Sequence, residues 1–335
     1  MSYLRKTYGD ALLQRDGQTY PVYPFPPGPG DTFETLLVPD APRAHADPAS
    51  FPVVDQNHLN ALLTSRPHLT NGLSYILHRL TLNPMRLEAR LGYYFDMLAT
   101  CDALDHELRR YGRGESTALP LREQLHQAVP PAHLPLDGAG RAAVIGVAVL
   151  TVFNDGGEYR VILGQRSGAV ATGANLLHVL PAFVFQPSGQ PALATAEWSV
   201  IHQIVREFGE EIFGMPEFDA WPGADSATYF YDHPGVADLR AMLADGRAQL
   251  EFTGMSWNPL STRQEICGLL LIHDPAWFQR WQPHIQAALL TERQQTFYLP
   301  LDTLAGLPVD LPSRITPQGG AAFWAGVDRA RQILR

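Results

Sequence analysis

The second half of the chain combines apolar runs typical of strands with stripes typical of helices. Dense apolar character from Ala142 to Phe153 predicts a buried strand, and Tyr159–Arg166 predicts a second one. The intervening Asn154-Asp-Gly-Gly157 is typical of a tight hairpin turn, so these two strands are expected to pair. Asn175–Gln186 predicts a third strand, interrupted at Pro181.

An amphipathic helix is predicted from Glu197 to Gly214. Its apolar residues recur at the spacing that places them on one helix face, and they are Ile201, Ile204, Val205, Phe208 and Ile212. Later segments alternate between the two types. They are a strand over Ala227–Tyr231, a helix over Val236–Ala248, strands over Glu251–Pro259 and Glu265–His273, a helix over Pro275–Leu290, a strand over Thr296–Leu301 and a helix over Gly319–Leu334. This order indicates an α/β fold.

The first half of the chain has a different pattern. Prolines exclude a long helix over Tyr20–Pro52, and its aromatic residues indicate an extended arm laid on a surface. Pro135–Gly140 separates the two patterns, so we expect a mainly helical N-terminal module of unknown function at residues 1–137 and a second domain at residues 138–335. The helices predicted in the module cover Asn57–Thr64, Gly72–Leu82, Pro84–Arg110 and Leu119–Ala128.

Composition narrows the expected partners and the compartment. The formal net charge of −9 argues against broad nucleic-acid binding, which relies on basic surfaces. The two cysteines, Cys101 and Cys267, provide neither a disulfide framework nor zinc-ligand spacing and are expected to be buried thiols. No apolar run approaches the ~20 residues of a membrane span, and the first residues lack a signal-peptide pattern. A cytoplasmic protein without a membrane partner is therefore expected.

The predicted helix over Glu197–Gly214 gathers three acidic residues on one face. Glu207, Glu210 and Glu211 are separated by three and four positions, which brings their carboxylates together. Like charges repel, and a divalent cation would supply a reason to collect them, because Mg²⁺ prefers carboxylate oxygens and substrate phosphates. The alternative is an acidic, solvated helix face.

The segment Arg206-Glu-Phe-Gly-Glu-Glu211 gives these carboxylates a context. It resembles the R-E-(apolar)-x-E-E core of the Nudix superfamily without a substitution. The hairpin over Ala142–Arg166 looks like the two strands that open the Nudix domain. Phe297–Leu304 is similar to the strand and loop near its end. The resemblance covers the predicted second domain and leaves out residues 1–137.

This resemblance implies a fold, a cofactor and an activity. The fold would be a Nudix-like α/β/α sandwich with a mixed sheet, preceded by the helical module. Glu207, Glu210 and Glu211 would hold Mg²⁺ or Mn²⁺, and Arg206 would orient a carboxylate by ion pairing. These four residues would form the catalytic set of a hydrolase that cleaves the pyrophosphate of a nucleoside diphosphate linked to another moiety.

The first half of the motif departs from the Nudix pattern, which leaves a second function open. Eight residues separate Glu197 from Arg206 where the family has seven, and seven separate Gly189 from Glu197 where it has five. These departures favour a non-catalytic protein that senses a nucleotide or a sugar-nucleotide. Under either reading the partner is a nucleotide-type small molecule. The N-terminal module would restrict its access or mediate a homodimer.

Two residues near the last predicted strands are weaker candidates. Glu265 could serve as an additional metal ligand or as a base, but an exposed glutamate at the end of a strand is the more common case. Arg263 could reach a phosphate, but a surface role is expected more often. We therefore expect both side chains to be exposed.

Overall fold

A mixed eight-stranded sheet organises the computed structural model, which describes residues 1–39, 42, 45–47, 50–167, 173–188, 193–216 and 227–335. The side chains of residues 290–294 are outside this description. The strands, in chain order, are β1 (Gln14–Arg15), β2 (Gln18–Thr19), β3 (Tyr23–Phe25), β4 (Leu73–Leu82), β5 (Met85–Tyr93), β6 (Gly146–Asp155), β7 (Glu158–Arg166), β8 (Leu177–Val179), β9 (Ala182–Val184), β10 (Ala248–Asn258), β11 (Arg263–Ile272) and β12 (Arg293–Pro300).

Helices lie in both halves of the chain. A π-helical turn over Leu98–Asp102 joins α4 to α5, and a 3-10 turn covers Tyr229–Asp232. The α-helices are α1 (Ser2–Tyr8), α2 (Phe33–Leu36), α3 (Gln56–Ser65), α4 (Tyr94–Met97), α5 (Ala103–Gly112), α6 (Pro120–Ala128), α7 (Val200–Phe213), α8 (Pro234–Asp245), α9 (Trp277–Glu292), α10 (Leu311–Arg314) and α11 (Pro317–Ile333). The expectation of a mixed α/β fold is confirmed.

The main sheet has the strand order β12-β7-β6-β11-β10-β3, with β8 added beside β7 and β9 beside β6. The central pair β6 and β11 is parallel, and the remaining pairs are antiparallel. Every residue of β11 is buried, because helices cover both of its faces. Continuous burial of this kind explains why Ile266–Ile272 is almost uninterruptedly apolar.

Alternate residues of β11 enter two different cores. Ile266 and Leu270 pack in the core that contains residues of α7 and α9, whereas Cys267 and Leu269 pack in the core that contains residues of α11. Successive side chains of a strand point to opposite sides of the sheet. Helices α7 and α11 therefore lie on opposite faces of the sheet. Cys101 and Cys267 are both free and buried, as expected.

The proline-rich arm adds a strand to the main sheet. Residues Tyr23–Phe25 pair with Met255–Trp257 of β10 in the antiparallel sense. Tyr20 and Tyr23 are buried, at 1% and 6% exposure. The expected extended arm is therefore confirmed here, and its aromatic side chains anchor it.

The region between the arm and α4 corrects a prediction. Gly72–Leu82 and the first part of Pro84–Arg110 are not helical: β4 and β5 form an antiparallel hairpin instead. In β5 the residues Met85, Leu87 and Ala89 are buried and alternate with partly exposed neighbours, which is the two-residue period of a strand. Leucines four positions apart also fit a helix, so their spacing alone predicts the wrong period. The N-terminal half is therefore not mainly helical.

Two smaller predictions are also corrected. Ala227–Tyr231 is not a strand, since its described structure is a turn running into the 3-10 segment. Asn175–Gln186 forms two short strands, β8 and β9, separated by a cis bond between Leu180 and Pro181. The other predicted strands and helices are confirmed, with ends shifted by a few residues. These include the hairpin of β6 and β7.

One hydrophobic core contains residues from both sides of the predicted domain boundary. Tyr75 and Leu87 of the β4–β5 hairpin pack in the same cluster as Val147 and Phe153 of β6. Backbone hydrogen bonds also cross, since the amide of Ile145 donates to the carbonyl of Tyr75 at 3.0 Å. The division between residues 137 and 138 stays a prediction.

Candidate functional site

Helix α7 carries the four residues predicted to be catalytic. It begins after Ser199, whose side-chain oxygen accepts a hydrogen bond from the backbone amide of His202. It ends at Gly214, which has the left-handed backbone (φ 67°) common at helix ends. Phe208 and Ile212 are completely buried against the sheet. Their burial fixes the rotation of the helix and therefore the direction in which the glutamates lie.

Arg206 lies between two of the glutamates and is almost completely buried. Its Nη2 is 2.8 Å from Oε1 of Glu207, and its Nε is 3.7 Å from Oε1 of Glu210. The same Nη2 donates to the backbone carbonyl of Gln186 at 3.2 Å. Burial lowers the pKa of the Arg206 guanidinium, but the two carboxylates outweigh burial and raise that pKa above its ordinary value. The cluster therefore contains a permanent internal cation.

Glu210 and Glu211 also form hydrogen bonds with other groups of the protein. The backbone amide of Ala182 donates to Oε1 of Glu211 at 3.2 Å, and Tyr229 Oη donates to Oε1 of Glu210 at 3.4 Å. Burial and then the charge of Glu210 raise the pKa of Tyr229, so its phenol stays protonated. Glu207 is only 8% exposed. The alternative of a solvated acidic face is therefore wrong.

A divalent cation needs several oxygen ligands that converge on one point. Within the described residues, no three Asp, Glu, His or Cys side chains form such a group. Glu207 and Glu210 face the guanidinium of Arg206, and Glu211 faces a backbone amide. In this arrangement one oxygen of each of the three glutamates contacts a group of the protein. The metal site stays a prediction from the sequence.

Glu197, the weaker candidate of the motif, is buried and held by hydrogen bonds within the protein. It is completely buried, and its Oε2 accepts a hydrogen bond from the backbone amide of Ser188 at 2.8 Å. The side-chain amide of Gln203 donates to the backbone carbonyl of Glu197 at 3.1 Å. These contacts tie the start of α7 to the segment after β9. Gly189, the other motif position considered, lies outside the described residues.

A second candidate site lies where β7 ends and β11 begins. A cavity of about 100 Å³, the inner cavity, is bounded by these strands, by the start of α11 and by the helical segment 94–112. It shares wall residues Asp102, Asp105 and Arg109 with an outer cleft of about 510 Å³. At the rim, Arg109 pairs with Asp105 at 2.9 Å and His58 pairs with Asp102 at 2.8 Å. Sequence reasoning did not find this cavity.

Glu265 is the buried acid of the inner cavity. It lies beside Gly146 of the neighbouring strand β6, where any added Cβ would collide with the Glu265 carboxyl group. The residue is 5% exposed, and its carboxyl group makes no hydrogen bond to the described part of the chain. Burial raises the pKa of Glu265 to about 7, although Arg263 and Arg166 pull it down. The expectation of an exposed Glu265 is wrong.

Two further polar groups of the inner cavity have unused hydrogen-bonding capacity. Arg263 is 7% exposed, and its Nε donates to the backbone carbonyl of Val144 at 2.8 Å. Its two terminal nitrogens make no hydrogen bond to the residues described. The Oγ of Ser261 is buried and has no partner among those residues. The expectation of an exposed Arg263 is therefore also wrong.

A signal for this burial was present in the sequence. Because every second residue of a strand faces the same side, Glu265 shares its face with Cys267 and Leu269, which are an apolar series. That alternation predicts an inward-facing carboxyl group. The space that accepts it is provided by Gly146, and the parallel pairing of β6 with β11 is not visible in the sequence. The sequence therefore predicts the inward-facing glutamate but not the space that accepts it.

Replacing Glu265 with glutamine is expected to stabilise the protein at alkaline pH. The folded pKa of about 7 is above the ordinary value of 4.5, so folding takes up a proton between these values. Stability from this group is complete below about pH 4.5 and is lost as the pH rises through 7, which amounts to about 3 kcal/mol at most. Urea unfolding should show nearly equal free energies at pH 5 and a variant more stable by about 2–3 kcal/mol at pH 8.

The matched control for this measurement is the same substitution at Glu158, whose side chain is 53% exposed. Glu158→Gln should follow the wild-type curve at both pH values within about 0.5 kcal/mol. A Glu265→Gln variant that also follows the wild-type curve at pH 8 would contradict the burial cost assigned to Glu265.

Comparison with known proteins does not assign a family. No protein-family model matches the chain, and a search of curated proteins finds no match. Among the described residues, none of the helices combines the length and the apolar character of a membrane span. The Nudix resemblance stays a prediction from the sequence, and function is inferred from α7 and the inner cavity.

Proposed function

We propose that this protein binds a nucleotide-type small molecule through a Nudix-like domain without hydrolysing it. The observation that carries the proposal is the set of protein partners around the glutamates: Arg206 pairs with Glu207 and lies near Glu210, and the backbone amide of Ala182 donates to Glu211. A buried guanidinium held by two carboxylates makes the cluster a structural ion-pair network. Helices α7 and α11 on opposite faces of a mixed sheet support a Nudix-like α/β/α sandwich.

One observation supports a second function: the segment Arg206–Glu211 matches the core of the Nudix motif without a substitution. The function is that of a Mg²⁺- or Mn²⁺-dependent hydrolase that cleaves the pyrophosphate of a nucleoside diphosphate linked to another moiety. For this activity the three glutamates would have to turn their second oxygens toward one cation while Arg206 keeps its ion pair with Glu207. A cytoplasmic location and a homodimer remain expectations from the sequence.

Both functions are tested with one panel of nucleoside diphosphates linked to sugars, to other nucleosides and to small alcohols. Calorimetry measures binding, and chromatography measures release of phosphate or nucleotide, with Mg²⁺, with Mn²⁺ and with a chelator. We expect at least one compound to bind equally well with the chelator and to remain intact. Glu210→Gln and Glu211→Gln should change its affinity by less than about threefold.

Two outcomes would overturn the proposed binding function. One is metal-dependent turnover that disappears in Glu210→Gln and Glu211→Gln while folding is unchanged, which would establish the hydrolase. The other is the absence of binding for every compound of the panel. Arg329→Lys serves as the control variant, because Arg329 is partly exposed and pairs with Glu251 away from both candidate sites.

A further inference from the structure

The inner cavity and the outer cleft together have the shape of a two-part ligand site. The inner cavity, at about 100 Å³, can take one small head group, whereas the outer cleft, at about 510 Å³, is within the size range of small-molecule pockets. Their shared wall residues are Asp102, Asp105 and Arg109 of the helical segment 94–112, together with Gly173 and Leu176. Small-molecule sites commonly combine such a cleft with a few precisely placed polar groups.

Three polar side chains of the inner cavity have unused hydrogen-bonding capacity. The terminal nitrogens of Arg263, the carboxyl group of Glu265 and the hydroxyl of Ser261 all line the inner cavity. All three residues are at least nine-tenths buried. Buried polar groups in native proteins are almost always hydrogen-bonded, so three neighbouring groups with free capacity point to a polar partner.

The chemistry of Arg263 selects the sign of that partner. Its guanidinium is a permanent cation that has only donors, and it forms no ion pair with the described residues. The other charged and titratable groups around the inner cavity are Glu265, Arg166, His178, Tyr94, the pair Arg109–Asp105 at the rim, and Asp102 with its partner His58. An anion accepts hydrogen bonds and carries the opposite charge, so it is the partner that Arg263 favours.

We propose that the inner cavity binds the anionic head group of a small molecule, a phosphate or a carboxylate, on Arg263 and Ser261, while the rest of the ligand lies in the outer cleft. This inference rests on the proposed function, because it locates the ligand of the same binding protein. A planar guanidinium with two free nitrogens can hold either head group with two parallel hydrogen bonds. The serine hydroxyl adds a third donor.

Glu265 acts on the head group through its proton. A protonated carboxyl group donates a hydrogen bond to an anion, whereas a carboxylate repels it. Since the pKa of Glu265 is raised to about 7 by burial, anion binding and proton uptake are coupled near neutrality. Affinity for an anion of constant charge should therefore fall by about tenfold for each pH unit above 7.

The first experiment measures this site with simple anions on the full chain. Inorganic phosphate and acetate are titrated at pH 7 by calorimetry or by NMR, and sulfate, whose charge is constant, is titrated from pH 6 to pH 9. Arg263→Lys keeps the charge but loses the two-pronged geometry and should weaken binding at least about tenfold. Ser261→Ala should weaken it by about threefold to tenfold. Arg329→Lys should have no effect.

The Glu265→Gln variant shows whether Glu265 contacts the anion directly or affects binding only through folding. Glu265→Gln should still bind sulfate, and its affinity should no longer change between pH 7 and pH 9. A higher affinity for phosphate than for acetate identifies a phosphorylated ligand, and a higher affinity for acetate identifies a carboxylate. The inference is overturned if no anion binds the wild type, or if Arg263→Lys binds as well as the wild type while folded.

The nucleotide panel distinguishes failure of this inference from failure of the proposed function. If a panel compound binds and Arg263→Lys leaves its affinity unchanged, the ligand lies elsewhere and only the cavity assignment fails. If no panel compound binds but phosphate or acetate does, and Arg263→Lys weakens that anion, only the nucleotide assignment fails.

Discussion

Arg206→Met is expected to lower the free energy of unfolding by about 3–5 kcal/mol, the range seen when one partner of a buried ion pair is removed. Arg206 is 3% exposed, and its loss removes the cation that pairs with the buried Glu207 and lies 3.7 Å from Glu210. The desolvation of Glu207 is then less well compensated, while the methionine retains most of the apolar stem. Urea unfolding with a chelator present measures the loss.

The double variant Arg206→Met/Glu207→Gln tests the cause of this loss. Removing both charges of the closer pair should recover more than half of the lost free energy, because the more buried carboxylate is then removed together with its cation. A double variant as unstable as Arg206→Met alone would attribute the effect to packing. A loss below about 1 kcal/mol in the single variant would contradict a structural ion-pair network.

Arg141→Met is expected to have a similarly large effect, about 4 kcal/mol, for a different reason. Arg141 is completely buried and forms no ion pair in the described chain. Its guanidinium donates to the backbone carbonyls of Leu134, Asp137, Ala139 and Thr262. Each buried carbonyl left without a donor costs about 1–3 kcal/mol, and solvent recovers part of the total.

This arginine also supports the inner cavity. Thr262 has a left-handed backbone (φ 58°) and lies between Ser261 and Arg263, which both line the cavity. Arg141→Lys, which keeps the charge with fewer donors, should lose about half as much free energy as Arg141→Met and should weaken anion binding. Arg329→Met, at an exposed ion pair, should change stability by less than about 1 kcal/mol. A small loss in Arg141→Met would mean that water replaces its donors.

The β4–β5 hairpin shows why part of the fold was predicted wrongly. Leu87 and Leu91 are four positions apart, which suits a helix, but they also belong to a two-residue alternation through Ala89. Tertiary contacts favour the strand, since the backbone amides of Tyr75 and Leu77 donate to Phe185 and Ala143 outside the hairpin. An isolated sequence pattern contains no such partner.

Local sequence patterns were enough to predict most strands of the second half, the helix α7 and its row of charged residues. These features depend on local spacing and on turn residues, which act over a few positions. The partners of these charges depend on how the chain folds. Arg206 reaches the carbonyl of Gln186, and Glu211 reaches the amide of Ala182, after the chain has folded back on itself.

The inner cavity also depends on residues that come together only in the folded chain. Its inward-facing glutamate was implied by the alternation in β11, but its neighbours come from β7, α11 and the helical segment 94–112, which are distant in the chain. Burial then changes the chemistry, because a carboxyl group removed from water holds its proton near neutral pH. Residue types and their local order were therefore readable from the sequence. Their solvation and their partners required the three-dimensional fold.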